Sequence, residues 1–133
     1  MHATREDVTV SKKALWAGRI LTAISALFLV FDAVSHLLTP APVVDAFTRL
    51  GFPLKTAVPL GIIELACLAV YAFPRTSVLG AILLTGYLGG AVATHVRVSD
   101  PLFDTIVPIL FGVLVWLGLF LRNARLREVV QGH

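Results

Sequence analysis

Apolar and polar positions fall in long blocks along this chain rather than at strand or surface-helix intervals. Near-continuous apolar runs occupy about residues 20–38, 57–73, 77–95 and 102–121, with short polar segments between them. Each run is close to the ~20 residues a helix needs to cross a bilayer core. A helix that is apolar all round has no face for water. The pattern predicts an all-α protein, a transmembrane four-helix bundle with antiparallel neighbours.

One connecting segment has a different period. In TPAPVVDAFTRLGFPL, Thr39 to Leu54, the apolar Val43, Phe47 and Leu50 recur at helical spacing, while Asp45, Thr48 and Arg49 take other faces. Gly51 supplies a stop, so a short amphipathic helix lying in the interface is expected between spans one and two. Pro74-Arg75-Thr76 predicts a tight turn that makes spans two and three a hairpin. Pro59 is tolerable in the first turn of span two. Pro108 lies inside span four, where its ring crowds the Asp104 carbonyl and a kink is expected. The first run is longer than a signal-peptide core of about 7–15 residues and no small-residue cleavage site follows it, so a retained span is expected, with Arg19 snorkelling to the surface. The chain thus divides into an N-terminal segment (1–14), a membrane domain (15–121) and a basic tail (122–133).

Composition agrees with the pattern. Hydrophobic residues make up 57% and charged residues 14%, against about 25% charged in soluble domains. A single cysteine, Cys67, excludes an intrachain disulfide and CxxC redox chemistry. Basic residues sit at the ends of apolar runs, which gives no footprint for nucleic acid. Arg5, Lys12, Lys13, Arg75, Arg122, Arg125 and Arg127 fall on one side of the bundle and only Arg49, Lys55 and Arg97 on the other. The positive-inside rule then places both termini in the cytoplasm, with Trp16, Tyr71 and Trp116 as an aromatic belt on that same side.

Span three, LGAILLTGYLGGAVATHVR, carries Gly86, Gly89 and Gly90 before it ends in His95 and Arg97. Small residues four apart let helix backbones approach in lipid, so the glycines are assigned to helix packing. On an ideal helix they point away from His95, and the sequence leaves open whether they pack inside the bundle or against a partner.

The ionisable residues gather toward the outer half. Asp32 and Glu64 lie about 9–10 Å below the outer surface at helical rise, and His36, His95 and Asp104 sit within about a turn of it. Thr22, Ser25, Asp32 and His36 form one stripe of span one, about 80° wide. An Asp in mid-span costs about 2.5–3.5 kcal/mol, which the surrounding Leu, Ile, Phe and Val offset at about 0.3–0.6 each. Insertion remains favourable, and the residual cost suggests a use. The candidate polar pocket is Asp32, His36, Glu64, His95, Arg97 and Asp104, with Asp32 and Glu64 expected as a coupled pair and His36 linking it outward. Interhelical glue, a proton-handling or ligand cavity, a metal site from Asp32, His36, Glu64 and His95, and a bis-histidine haem are all open readings. The metal spacing matches no established motif and the heights differ by more than a turn, so no metal is assigned. Catalytic residues are not identified: no phosphate loop, nucleophile motif or nucleotide fingerprint occurs.

The string LLTGYLGGAVATHVR, with PLGIIELACLAVYAFPRTSVLGAI before it, FDAVSHLLTPAPVVDAFTRLGFP in and after span one, and WLGLFLRNARLR at the end, resembles the DoxX-like family of small bacterial membrane proteins. The resemblance implies a four-helix bundle in the bacterial inner (plasma) membrane. Parts of the wider group are linked to membrane redox chemistry such as quinone-coupled thiosulfate oxidation. Where relatives often carry lysine or arginine, this chain has His36. The expected function is a small membrane subunit of a redox or quinone-linked complex, with no evident cofactor of its own beyond a quinone and no catalysis by this chain alone. Membrane lipid and an oxidoreductase or a second copy are the expected partners. The alternatives are a dimeric small-molecule or proton-coupled carrier and an assembly protein without chemistry.

Reporter fusions after Arg49 and at the C-terminus are expected to label opposite sides of the membrane. Labelling on the same side would overturn the assignment by charge.

Overall fold

Ser11 accepts a hydrogen bond from the Ala14 amide at 3.2 Å and so starts the first helix, α1 (Lys12–Leu38). That cap satisfies a donor every helix start leaves open, and it begins the helix at Lys12 rather than at Ile20, where the apolar run starts. In this computed structural model residues 10–132 are described. Arg5 and the first nine residues of the N-terminal segment lie outside them.

The chain turns at Thr39 into α2 (Ala41–Leu50), the short helix expected between the first two spans. Gly51 ends it at φ 77°, a left-handed geometry that glycine adopts without a Cβ penalty. A single 3-10 turn, Leu54–Thr56, leads into α3 (Ala57–Ala72). The Pro74–Thr76 turn is closed by the Thr76 amide on the Phe73 carbonyl at 3.0 Å and by the Thr76 hydroxyl on the Val70 carbonyl at 2.7 Å. It is followed by α4 (Ser77–Arg97) and α5 (Leu102–Arg122), which remains helical through Pro108. The basic tail is a helix too. Asn123 caps α6 (Ala124–Gln131), and Arg127 ties it back by donating to the Phe120 carbonyl at 2.8 Å.

Helices α1, α3 with its preceding turn, α4 and α5 are long and apolar enough to cross a membrane, and the chain is an all-α, multi-pass membrane bundle. Helix α1 packs on α3 and α5, and α4 packs on the same two from the other side. Leu29, Leu68, Leu84 and Leu119 meet in the centre. Ile20, Ile24, Leu27, Phe31 and Leu38 lie exposed on the outer face of α1, as they should in a helix whose outer solvent is lipid.

The tightest seams are made by glycines, though not those of the Gly86–Gly90 string. A Cβ on Gly18 would stand 2.7 Å from the Gly118 carbonyl oxygen, and one on Gly118 would stand 2.7 Å from the Thr22 hydroxyl. A Cβ on Gly80 would collide with the Tyr71 backbone across the α3–α4 hairpin, and one on Gly61 would stand 2.8 Å from the Ala33 carbonyl oxygen. Around Gly86, Gly89 and Gly90 nothing lies within 4 Å of an added Cβ among the described residues. Their face is open and does not pack inside the bundle.

The aromatic belt also needs correcting. Trp16 is exposed, with the Arg19 guanidinium 5.3 Å from its ring centre, but Tyr71 is 1% exposed and donates to the Val115 carbonyl at 2.8 Å. Arg122 lies over its ring and donates to the Thr22 hydroxyl at 3.1 Å. Tyr71 is an interior tie between helices, because its hydroxyl finds an unshared carbonyl lone pair on α5.

Gly80→Ala and Gly118→Ala are each expected to destabilise the bundle by about 1–3 kcal/mol through overpacking, seen as a lower unfolding temperature in detergent. Gly89→Ala is expected to leave that temperature unchanged.

Candidate functional site

The close approach at Gly61 sets the geometry of the polar cluster. It brings α3 against α1 at Ala33, His36 and Leu37, and one turn further along α3 the side chain of Glu64 points into the same seam. Asp32 and His36, one turn apart on α1, face it. The His36 Nδ1 lies 3.5 Å from an Asp32 carboxylate oxygen and 3.6 Å from a Glu64 oxygen. One oxygen of each acid and the imidazole nitrogen all lie within 4.8 Å of one another. Asp32 and Glu64 are therefore neighbours, with His36 between them.

Burial grades steeply across the trio. The Asp32 side chain is 46% exposed, that of His36 16% and that of Glu64 0%. Asp32 is the open end and Glu64 the closed one. Phe47 of α2 covers His36 edge-on, with ring centres 5.5 Å apart. Tyr87 of α4 lies in the neighbourhood of Glu64, and Cys67 lies one turn beyond Glu64 on α3.

The trio is close but not hydrogen-bonded. His36 Nδ1 and both Glu64 oxygens are buried without a hydrogen-bond partner among the described residues. Charge-assisted N–H···O bonds run at about 2.7–2.9 Å, well short of the separations here. A buried carboxylate left in this condition is expensive, because the low dielectric that strengthens a made bond also raises the cost of a missing one. Such a site can hold a polar ligand, pass a proton, or bind a cation.

The other expected pocket residues go elsewhere. His95 Nδ1 meets an Asp100 carboxylate oxygen at 2.5 Å, and the same carboxylate takes Arg49 Nε of α2 at 3.3 Å. Arg97 donates to the Leu50 carbonyl at the end of α2. His95 and Arg97 thus belong to a latch that holds α2 to the α4–α5 loop. Asp104 joins neither group among the described residues. It lies in the first turn of α5, where a carboxylate offsets the positive end of the helix dipole.

Sequence reasoning missed Asp100, Arg49, Phe47 and Tyr87 as members of these clusters. Asp100 alone carried a signal, five places after His95 and just past the end of a helix, where a loop folds back on the last turn. Phe47 falls on the apolar face of α2 by its spacing, but what that face covers is a tertiary fact.

The family model described as the DoxX-like family matches residues 20–118 of the chain. No curated protein and no solved structure matches it.

Asp100 is 4% exposed at its side chain, and hydrogen bonds to charged groups contribute about 1.5–3 kcal/mol. Asp100→Asn is therefore expected to speed amide hydrogen exchange across Ala41–Leu50 about tenfold or more, leaving α3 and α5 unchanged. Unaltered exchange in α2 would show that the latch does not hold it.

Proposed function

The chain belongs to the DoxX-like family, and on that footing we propose that it is a small membrane subunit of a redox or quinone-linked complex. Its working part on this reading is the Asp32–His36–Glu64 cluster, a polar pocket in the outer half of the bundle. The observation that carries the reading is Glu64, a carboxylate with no exposed surface and no hydrogen bond among the described residues, facing a histidine and a second acid. Ionisable groups inside a membrane bundle are costly and mark paths for substrate, ion or proton.

The chemistry suits an oxidoreductase partner. Reducing a quinone to a quinol takes two electrons and two protons. The partner supplies the electrons, and the acid–histidine trio relays the protons to the carbonyl oxygens, with Asp32 as the exposed entry and Glu64 as the inner member. The basic residues around both ends support cytoplasmic termini in a bacterial plasma membrane.

A second reading, a homodimeric carrier, is favoured by one observation: the smooth, open face at Gly86, Gly89 and Gly90, which suits close helix contact in lipid.

Purification in mild detergent from native membranes separates the two. An oxidoreductase or a bound quinone that stays with the chain supports the first, and a homodimer without either supports the second. A lone monomer would overturn both. In the complex, Asp32→Asn and Glu64→Gln are each expected to keep the fold and the partner while lowering quinone reduction about 100-fold, within the range of general acid–base contributions. Full activity in both variants would remove the cluster from the mechanism.

A further inference from the structure

We infer that Asp32, His36 and Glu64 form a binding site for one divalent transition-metal ion of the zinc type. The inference rests on the reading of this cluster as the working part of the chain and names what the cluster holds; it takes the place of the proton relay among the three side chains, whose bonding atoms the ion would occupy.

The geometry is that of ligands around an ion rather than of side chains bonded to each other. Bonds of about 2.0–2.2 Å from zinc to nitrogen or carboxylate oxygen set tetrahedral neighbours about 3.3–3.6 Å apart. The two separations from His36 Nδ1, 3.5 and 3.6 Å, fall on that edge length. The third atom pair lies within 4.8 Å, and its Asp32 member is half-exposed at the side chain. All three groups come from rigid helices at one level of one seam. Glu64 reaches the site from a helix running the opposite way, at the depth its position in span two implies.

The unmet bonding capacity points the same way. His36 Nδ1 and both Glu64 oxygens are buried and unpartnered among the described residues, and an ion between them would satisfy the nitrogen and the facing oxygen at once. Charge is the third consideration. As metal ligands, two carboxylates and a neutral imidazole carry two negative charges, and one divalent cation cancels both. A protonated histidine cancels only one.

Three protein ligands leave one position of a tetrahedron free, the arrangement of zinc sites that bind water or a substrate. Asp32 is the half-exposed member of the trio, the side from which solvent reaches the site. One imidazole and two carboxylates suit zinc and its hard-to-borderline neighbours better than thiolate-seeking ions. His95, the fourth ligand type considered from sequence, is engaged with Asp100 at 2.5 Å and takes no part.

The test uses the full-length, tag-free protein in detergent, stripped with a chelator and titrated with Zn2+ alone. Wild type is expected to bind one ion per chain and to gain thermal stability on binding. His36→Gln and Glu64→Gln are each expected to weaken binding more than about 100-fold, since loss of groups behind the ligands already costs about 10–100-fold. Asp32→Asn is expected to weaken it less, and His95→Gln to leave it unchanged. Absence of stoichiometric Zn2+ binding by folded wild type would overturn the inference. So would an equal loss in His95→Gln, or less than tenfold loss in both His36→Gln and Glu64→Gln. If either of those variants fails to fold, the wild-type stoichiometry and Asp32→Asn against His95→Gln decide it, equal affinity in that pair being negative. The outcomes are separable from the functional reading: metal binding without a redox partner leaves this site standing alone, and an active complex that binds no metal leaves only the proton relay.

Discussion

Lipid gives apolar side chains no reason to turn inward, so helices in a membrane associate through dispersion between closely approaching surfaces and through polar contacts. This bundle is built under that constraint. Its seams close where glycines remove the obstacle, at Gly18 with Gly118, at Gly61 and at Gly80. The Gly61 seam also positions the site. With a larger residue there, α3 would stand off from α1, and Glu64 would lose its approach to His36. Helix packing and the placement of the acid–histidine trio share one contact on one turn of helix.

The four spans, the short helix between the first two and the meeting of Asp32 with Glu64 were legible in the sequence, since each rests on run length, helical period or depth within a span. The faces were harder to read. Gly86-x-x-x-Gly90 is a local spacing, whereas Gly18 and Gly118 meet only because the first and last spans are neighbours, which no local spacing reports. His95 has the height its position in span three implies, but Asp100 beyond the helix end draws it out of the pocket. Tyr71 looked interfacial by position, yet its hydroxyl turns inward to Val115, because a neighbouring backbone leaves an acceptor free there.

Helix α2 joins the two polar clusters. Phe47 lies on His36 from one side of it, while Arg49 and the Leu50 carbonyl are held by Asp100 and Arg97. The cover over His36 is thus tied to the loop between the last two spans through a helix only ten residues long.

The seam between α1 and α5 has a consequence for how the protein is made. The spans leave the ribosome in order, so the first helix meets α3 early but must wait for the last span before Gly18, Thr22 and the Tyr71 hydroxyl find Gly118, Arg122 and the Val115 carbonyl. Until α5 is made, the flank of α1 that holds Gly18 and Thr22 lacks the Gly118 and Arg122 it packs on. The Asp32–His36–Glu64 cluster draws only on α1 and α3, so both helices that carry it are synthesised before the span that completes the bundle.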